Sequence, residues 1–374
     1  MKTAFAIAAA IGAATLVVIT ILVMHARGGA PAQAAGAPLL PALEERAGEI
    51  AAIECLRGNA TVRLERGADG AWIVASSEGY PARTELVRAL VASAARLTLQ
   101  ERMTGKRARH GALGLAWPDA SGKARLVRLL GGAPGAAPIA EIVFGEERFA
   151  PDGIFVRRFD EEQTWRAAGR LQLPGDALEW MDRTLFALPA GETKRAAIAG
   201  LALVRPIGGA ANEPGTPAPR WAPEIADAER DHWTPEQVAS AQTGLPSFLE
   251  RLEFEAVRHA RGDTVPEPAW SPTFETEGAS IAVNGREEAD GLWITLAIVP
   301  RPNAPRPPAT PPEPGEPFIP DYAALAKQVA GWEYRVPDWK RETLRRMRAA
   351  TAPATPAAPL PAPAEPAPIA PPAP

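Results

Sequence analysis

A long apolar stretch opens the chain. Residues Thr3 to Met24 form 22 consecutive positions without a charged side chain. As an α-helix this stretch would extend about 33 Å at ~1.5 Å per residue, which matches the hydrocarbon core of a bilayer. A cleavable signal peptide has a shorter apolar region of about 7 to 15 residues, although the small residues Ala32 and Ala34 leave cleavage open. The pattern predicts a signal-anchor transmembrane helix within residues 1–27.

Alternation between apolar and polar residues predicts the first β-hairpin. The sequence TVRLER, from Thr61 to Arg66, alternates with a period of two, and AWIVAS follows it. An Asp-Gly pair separates the two stretches and accommodates the positive φ of a tight turn. We therefore predict two paired strands here. A Gly/Ala/Pro-rich tether over residues 28–43 and a short helix over Ala42–Ala52 should precede them.

Helical periodicity appears after this hairpin. From Thr84 to Leu97 apolar side chains recur three and four positions apart, which predicts an amphipathic helix. We expect a second helix in GDALEWMDRTLFAL, from Gly175 to Leu188. The strands expected between the two helices lie at Ala124–Leu130, Ile139–Phe144 and Ile154–Arg158.

The second half repeats this order of elements. A strand is expected from Ala197 to Pro206, followed by a helix that begins at Thr234 with the sequence Thr-Pro-Glu. Strands are then expected in EFEAVRHA, SIAVNG and GLWITLAIV, and a helix at Tyr322–Val329. The last patterned stretch, GWEYRVPDWKRETLRRM from Gly331 to Met347, predicts a strand followed by an amphipathic helix.

These patterns predict an α+β protein with an internal duplication. Each half should form a small, mostly antiparallel sheet covered by helices. The C-terminal tail is almost entirely Ala and Pro and has nothing large to bury, so we expect it to be disordered. The predicted segments are a first α+β repeat at 44–195, a second repeat at 196–350 with a proline-rich loop at 300–320, and the disordered tail at 351–374.

The order of several motifs resembles one bacterial family. The motifs are VRLERGADGAWIVASSEGYPARTELVRALVASAARL, GALGL followed by Pro118, IVFGE, IFVRRFD with TW, and GWEYRVPDWKRETLRRM. This order is similar to the family known as domain of unknown function 4340, although the insertion after Pro206 and the loop at Pro300 depart from it. The resemblance implies a membrane-anchored envelope protein associated with ABC-type transport or gliding-motility machinery. It carries over no catalytic residues.

Charge and cysteine content exclude several classes of protein. The formal net charge is −4, so no basic excess argues for nucleic-acid binding. The single cysteine, Cys55, rules out an intrachain disulfide and a multi-cysteine metal site. The four histidines form no His-x-x-x-His pair, and no nucleophile elbow or phosphate loop occurs. We therefore predict a protein that is not an enzyme and needs no metal or cofactor.

Two groups of residues remain as candidates for binding. Tryptophans near strand starts are expected to pack in the core, with a platform for sugars or peptides as the alternative; they are Trp72, Trp165, Trp293 and Trp332. The last helix carries a basic cluster that would contact anionic lipid or an acidic partner, with a solvated face as the alternative. The residues of this cluster are Lys340, Arg341, Arg345, Arg346 and Arg348.

The anchor and the resemblance together suggest a function. We expect a single-pass inner-membrane protein with its body in the periplasm, acting as a non-enzymatic accessory of an ABC-type transport or envelope assembly. Its partners would be the inner membrane, through Thr3 to Met24, and membrane-protein subunits of a transporter. The alternative is an envelope module that binds glycan or peptidoglycan and is tethered by the anchor and the Ala/Pro tail.

Overall fold

The computed structural model describes most of the chain between its two terminal segments. The described residues are 35–118, 121, 123–133, 135–188, 191–205, 221–261, 271–302, 320–342 and 345. The predicted anchor at 1–27, most of the proline-rich loop and the predicted tail at 351–374 lie outside them. None of the helices in the described ranges is both long and apolar enough to cross a bilayer. The chain divides into two compact units between Met181 and Asp182, called unit 1 and unit 2 below.

Unit 1 is built on a nine-stranded sheet in which every pair of neighbouring strands is antiparallel. The strand order is β4-β3-β2-β1-β6-β7-β8-β9-β5. Its elements are α1 (Leu43–Arg46), β1 (Ile50–Arg57), β2 (Ala60–Arg66), β3 (Trp72–Val74), β4 (Tyr80–Pro81), α2 (Thr84–Ala95), β5 (Thr98–Arg102), β6 (Arg125–Gly131), β7 (Ala140–Phe149), β8 (Asp152–Arg158) and β9 (Trp165–Ala168).

An irregular segment, residues 103–118, covers one face of this sheet. Its Leu115 is fully buried in a cluster with Leu126, Val143 and Phe155, which come from three different strands. The segment includes a 3-10 helix at Arg107–Leu113. The expected cover of helices is therefore found only in part, because on this face a segment without helical periodicity buries its apolar side chains against the sheet.

The first described residues extend the sheet at its β5 edge. Leu39 donates a backbone hydrogen bond to Leu97 at 2.8 Å, and Leu99 donates one to Ala37 at 2.8 Å. The pairing is an antiparallel bridge centred on Pro38 and Thr98. Part of the predicted tether is therefore docked on the body.

Unit 2 contains an eight-stranded sheet and a separate two-stranded sheet, again with antiparallel neighbours throughout. The larger sheet has the order β13-β12-β11-β16-β17-β18-β19-β15, and β10 pairs with β14. The elements are β10 (Thr184–Phe186), β11 (Thr193–Ile198), β12 (Leu201–Val204), β13 (Ala222–Ile225), α3 (Pro235–Gly244), β14 (Leu252–Glu253), β15 (Ala256–His259), β16 (Thr273–Thr276), β17 (Ala279–Glu288), β18 (Gly291–Pro300), α4 (Tyr322–Val329) and β19 (Trp332–Val336).

The two large sheets have the same topology. Adding ten to each strand number in the unit 1 order β3-β2-β1-β6-β7-β8-β9-β5 gives the complete order of the unit 2 sheet. A helix precedes the edge strand in each unit, namely α2 before β5 and α3 before β15, although β14 intervenes in unit 2. Unit 1 adds α1 and β4, and unit 2 adds β10, β14 and α4. The repeated order of elements in the sequence thus has a counterpart in the strand order.

Three predicted elements are wrong in detail. The helix expected at Gly175–Leu188 is instead a 3-10 turn at Leu178–Trp180 followed by strand β10. Side chains compete with the helix there, since Asp176 accepts a hydrogen bond from the Glu179 N–H and Asp182 accepts one from the Thr184 N–H. The single strand expected at Ala197–Pro206 is a hairpin, because Ala199 and Gly200 both have positive φ and reverse the chain.

The third error concerns the centre of the unit 1 sheet. The helix expected over Ala42–Ala52 ends early, and Ile50–Arg57 forms β1, which pairs with both β2 and β6. Four side chains of β1 are buried, namely Ile50, Ala52, Ile53 and Cys55. Alanine and glutamate in this stretch suit a helix in isolation, but the two neighbouring strands determine its conformation.

Other predicted elements are confirmed. The helix α3 begins after Thr234, whose hydroxyl accepts a hydrogen bond from the Gln237 N–H while the Gln237 side chain accepts one from the Thr234 N–H. This reciprocal capping box satisfies two backbone donors that the first turn of a helix leaves free. The helices predicted near Thr84–Leu97 and at Tyr322–Val329 form as α2 and α4.

Candidate functional site: an arginine-lined groove in unit 1

A groove of about 360 Å³ lies between α2 and the start of the unit 1 sheet. We call it the arginine groove. Its apolar lining includes Ile50, Trp72, Val87 and Val91, and its charged lining consists of Glu44, Arg66, Arg88 and Arg96. Ligand sites in proteins commonly combine an apolar wall with a few placed polar groups. The composition of this groove is therefore that of a binding site.

The spacing of residues on α2 creates two parallel stripes along the groove. Val87 and Val91 lie four positions apart on one stripe, and Arg88 and Arg96 lie eight positions apart on the next. Residues separated by four positions stack on the same side of a helix. The buried face of α2, with Val87, Leu90 and Ala94, fixes the helix in the unit and leaves the arginine stripe exposed.

The groove carries a positive charge. It is lined by three arginines and one glutamate, which gives a formal sum of +2. Arg66 uses its Nη1 to donate a hydrogen bond to the Gly48 carbonyl at 3.4 Å. In the described part of the chain, Arg88 and Arg96 form no ion pair. These two cations are available to an anionic group.

The residues of the basic cluster predicted on the last helix differ in their surroundings. Arg341 and Arg345 both contact Glu287, with N–O distances of 3.1 and 2.6 Å. Burial alone would raise the pKa of Glu287, but hydrogen bonds from Arg345 and Arg341 outweigh burial and lower the pKa below its ordinary value. The remaining two arginines, Arg346 and Arg348, lie outside the described residues.

Lys340 does not lie on the exposed face where the sequence placed it. Its side chain is buried, and Nζ donates a hydrogen bond to the Phe248 carbonyl at 2.5 Å. Nζ also lies 4.9 Å from the centre of the Phe248 ring and 4.8 Å from that of Trp339. Burial lowers the pKa of Lys340 to about 8, partly offset by the charge of Glu250. The hydrogen bond to the Phe248 carbonyl and the contact with the Phe248 ring hold this side chain inward, against the cost of burying its charge.

A second cavity, of about 250 Å³, lies beside Lys340 in unit 2. Ser247, Glu250, Arg251 and Trp339 also line it. Trp339 is 57% exposed, in contrast to Trp72, Trp165 and Trp293, which are buried as predicted. Trp332, also expected in the core, is only partly buried and stacks on His259 with ring centres 4.2 Å apart. An exposed indole at the mouth of a cavity is suited to contact with a ligand.

A network of arginines and glutamates links strands β15, β17 and β19 of the unit 2 sheet. Arg258 on β15 contacts both Glu333 on β19 and Glu288 on β17, and Glu333 also pairs with Arg286. The Arg258 guanidinium lies 3.7 Å from the centre of the Trp293 ring. Sequence analysis missed this network because its members are about 30 to 75 positions apart and meet only through strand pairing.

The described residues offer little for metal or thiol chemistry. They contain no group of three or more histidine, cysteine, aspartate or glutamate side chains suited to hold a metal ion. Cys55 is buried in β1, and burial raises the pKa of its thiol to about 12 despite the nearby charge of Arg125. A thiol with so high a pKa is a poor nucleophile at neutral pH.

The protein is therefore one with two units built on antiparallel sheets, and unit 1 carries a cationic, partly apolar groove. A family profile then matches residues 72–269, which run from β3 of unit 1 to a point beyond β15 of unit 2. The chain belongs to the family described as "Domain of unknown function (DUF4340)". Comparison with curated proteins gave no significant match, and comparison with solved structures gave none either.

Proposed function

We propose that this chain is a single-pass, periplasm-facing, non-enzymatic accessory protein of an ABC-type transport or envelope assembly. The uncharged stretch from Thr3 to Met24 supports the anchor. The family resemblance supports the transport and envelope context. In this proposal the body is a binding module, and the arginine groove is the surface that receives a partner.

The observation that carries this proposal is the composition of the arginine groove. Its formal charge of +2 and its apolar wall suit an amphipathic segment with acidic residues. A segment of about two helical turns would place acidic groups near Arg88 and Arg96 and apolar groups near Val91. The proposed occupant is such a segment, supplied by a membrane protein of the same assembly.

Photo-crosslinking in native membranes tests this assignment. Benzoylphenylalanine in place of Val91 puts a reactive group inside the groove without removing an arginine. The expected result is a crosslink to a membrane protein, with the crosslinked peptide of the partner containing acidic residues. The same group in place of Ala133, an exposed residue of the β6–β7 loop, serves as the position control.

Charge reversal provides the second part of the test. Arg88→Glu should abolish the crosslink from position 91, whereas Arg170→Glu, at an exposed arginine that does not line the groove, should leave it intact. Equal crosslinking by both variants would contradict the groove as the partner site. A crosslink only to soluble proteins would contradict the membrane-protein partner.

The cavity beside Lys340 favours a second candidate function, binding of glycan or peptidoglycan. Trp339 offers a ring for stacking on a sugar, and Arg251, which is 75% exposed and pairs with Glu253, offers a cation for a carboxylate of a peptide stem. Titration of the full-length chain with soluble peptidoglycan fragments tests this alternative. Binding that is lost in Trp339→Ala and retained in Arg88→Glu would favour it over the partner groove. Absence of any binding would remove it.

We also infer that the body arose by internal duplication. The shared strand order of the two large sheets supports this origin. On superposition of the two units, β1–β2 and β6–β9 of unit 1 should match β11–β12 and β16–β19 of unit 2 in the same register. Strands that match in order but not in register or side-chain direction would argue against a common origin.

A further inference from the structure

The pairing at the β5 edge determines where the chain leaves unit 1 on its N-terminal side. Residues 36–39 run antiparallel to β5, with Gly36 donating to the Leu99 carbonyl at 2.6 Å. Going backward from Gly36, the chain therefore points toward the Arg102 end of β5. The connection to the predicted anchor departs from this end of the strand.

With the proposed anchor in the bilayer, the length of that connection keeps this end of unit 1 near the membrane. Residues 25–35 separate the predicted anchor from the docked segment. Even fully extended, eleven residues reach only about 40 Å. A surface held this close to a bilayer has a high effective concentration of lipid headgroups, so weak individual contacts become populated.

The surface beside this exit is basic. Residues 102–109 contain Arg102, Lys106, Arg107 and Arg109 and no acidic residue. We call these four side chains the basic turn. All four are exposed, and within the described residues none of them forms an ion pair. Among the described residues, the polar partner of Arg102 is neutral: Nε donates a hydrogen bond to the Gln163 amide oxygen at 2.7 Å.

Acidic residues near the basic turn reduce its charge without cancelling it. Glu101 pairs with Arg166 and Glu161 pairs with Arg158, so these two acids are already neutralised. Asp160 and Glu162 lie on the adjoining β8–β9 loop, which a hydrogen bond between His110 and the Glu162 carbonyl ties to residues 107–113. Four cations and two remaining anions leave a formal charge of +2 on this surface.

We infer that the basic turn is a membrane-contact surface that binds the anionic phospholipid headgroups of the bilayer in which the chain itself is anchored. This inference rests on the anchor of the proposed function and adds a second attachment to it. A basic patch beside a lipid-inserted segment strengthens attachment to anionic membranes. It also orients unit 1, with its β5 edge toward the lipid.

Amine footprinting of the full-length chain in nanodiscs tests the inference. The chain has only six lysines, and Lys106 is the one within the basic turn. Limited acetylation followed by mass spectrometry gives the reaction rate of Lys106 relative to Lys194 and Lys327, both exposed in unit 2. Relative to pure phosphatidylcholine, nanodiscs with phosphatidylglycerol should slow Lys106 about threefold or more. About 0.5 M salt should remove the protection.

Paired charge reversals supply the matched controls. Arg107→Glu with Arg109→Glu retains Lys106 as the reporter and should abolish its lipid-dependent protection. Arg230→Glu with Arg301→Glu changes the net charge equally at two exposed arginines of unit 2 and should leave the protection intact. Equal Lys106 reactivity in both lipid compositions would overturn the inference.

The outcomes separate this inference from the proposed function. If the chain remains in the nanodiscs and crosslinks through the arginine groove but Lys106 is unprotected, only the lipid contact is wrong. If the chain does not associate with nanodiscs, the anchor and the lipid contact are both wrong. Protection of Lys106 in native membranes but not in anionic nanodiscs would overturn the inference in favour of an acidic protein partner.

Discussion

Nη2 of Arg258 lies 2.7 Å from Oε2 of Glu333, in a pair whose carboxylate side chain is only 2% exposed. Burial alone would lower the pKa of Arg258, but hydrogen bonds to Glu288 and Glu333 outweigh burial and raise the pKa. The hydrogen bond from Arg258 also lowers the pKa of Glu288. The two residues lie on the paired strands β15 and β19, so the ion pair fixes the edge of the unit 2 sheet.

The first prediction concerns this ion pair. Glu333→Gln should lower the free energy of unfolding of unit 2 by about 3 kcal/mol, because it leaves Arg258 and Arg286 without their shared buried carboxylate. Hydrogen exchange in β18 and β19, measured on the full chain, gives the local stability. Glu275→Gln removes the exposed partner of Arg301 and should cost less than about 1 kcal/mol. Equal losses in the two variants would contradict the prediction.

The second prediction concerns pH. Because the pKa of Lys340 is lowered to about 8 from the ordinary 10.5, the unfolded chain binds more protons at this site between those values. Lys340 should therefore contribute a gain in stability as the pH rises from about 8 to 10, amounting to up to about 3 kcal/mol. Below pH 8 this contribution is constant and unfavourable.

A comparison of variants isolates the contribution of Lys340 from other groups. Cys55 and Tyr322 both have a pKa raised to about 12 by burial, and they act in the opposite direction at high pH. Denaturant unfolding should show a pH-dependent difference between the natural chain and Lys340→Met. The exposed control Lys327→Met should follow the natural chain. If the free energies of unfolding of the natural chain and of Lys340→Met changed in parallel with pH, the pKa of Lys340 would not be lowered in the native state.

The third prediction concerns the segment that covers the unit 1 sheet. A Cβ on Gly145 would lie 2.2 Å from the Leu113 carbonyl oxygen and 3.0 Å from the Leu115 side chain. Since the first contact is with backbone, Gly145→Ala should destabilise unit 1 by about 1 to 3 kcal/mol, or more. Gly111→Ala, whose Cβ would meet nothing within 4 Å, should unfold close to the natural chain. Chemical denaturation of both variants provides the measurement.

The fourth prediction concerns Cys55. At pH 8 the native chain should not react with an aromatic disulfide reagent, whereas the denatured chain should react with one equivalent. Ala68→Cys adds an exposed thiol in the β2–β3 turn and should react promptly in the native state. Rapid stoichiometric labelling of the natural chain in its native state would show that β1 opens or that the thiol is accessible.

The predictable part of the fold came from local patterns. The alternation in Thr61–Arg66 and the Asp-Gly turn specify a hairpin, and the apolar stripe of Thr84–Leu97 specifies a helix. Both signals depend on neighbours a few positions away. The Gly175–Leu188 error has the same origin, since a helical pattern cannot report that Trp180 will be fully buried and Thr184–Phe186 paired with β14.

The candidate sites were less predictable. The sequence indicated a basic cluster at the last helix, but the burial of Lys340 depends on Phe248, which lies 92 positions away. The arginine groove combines Glu44, Arg66 and two arginines of α2, and no short motif contains them. The basic turn is local in sequence, yet its position beside the point where residues 36–39 leave β5 appears only from their pairing with that strand.

The sequence by itself determined the apolar N-terminal stretch, the family, the antiparallel-sheet character and the repeated order of elements. These features follow from composition, from periodicity and from residues close together along the chain. The tertiary structure alone decided which strands are central, which charges are buried and which remain free for a partner. Those outcomes depend on contacts between distant segments. Strand pairing and burial affect the free energy of a residue more strongly than its neighbours along the chain affect it.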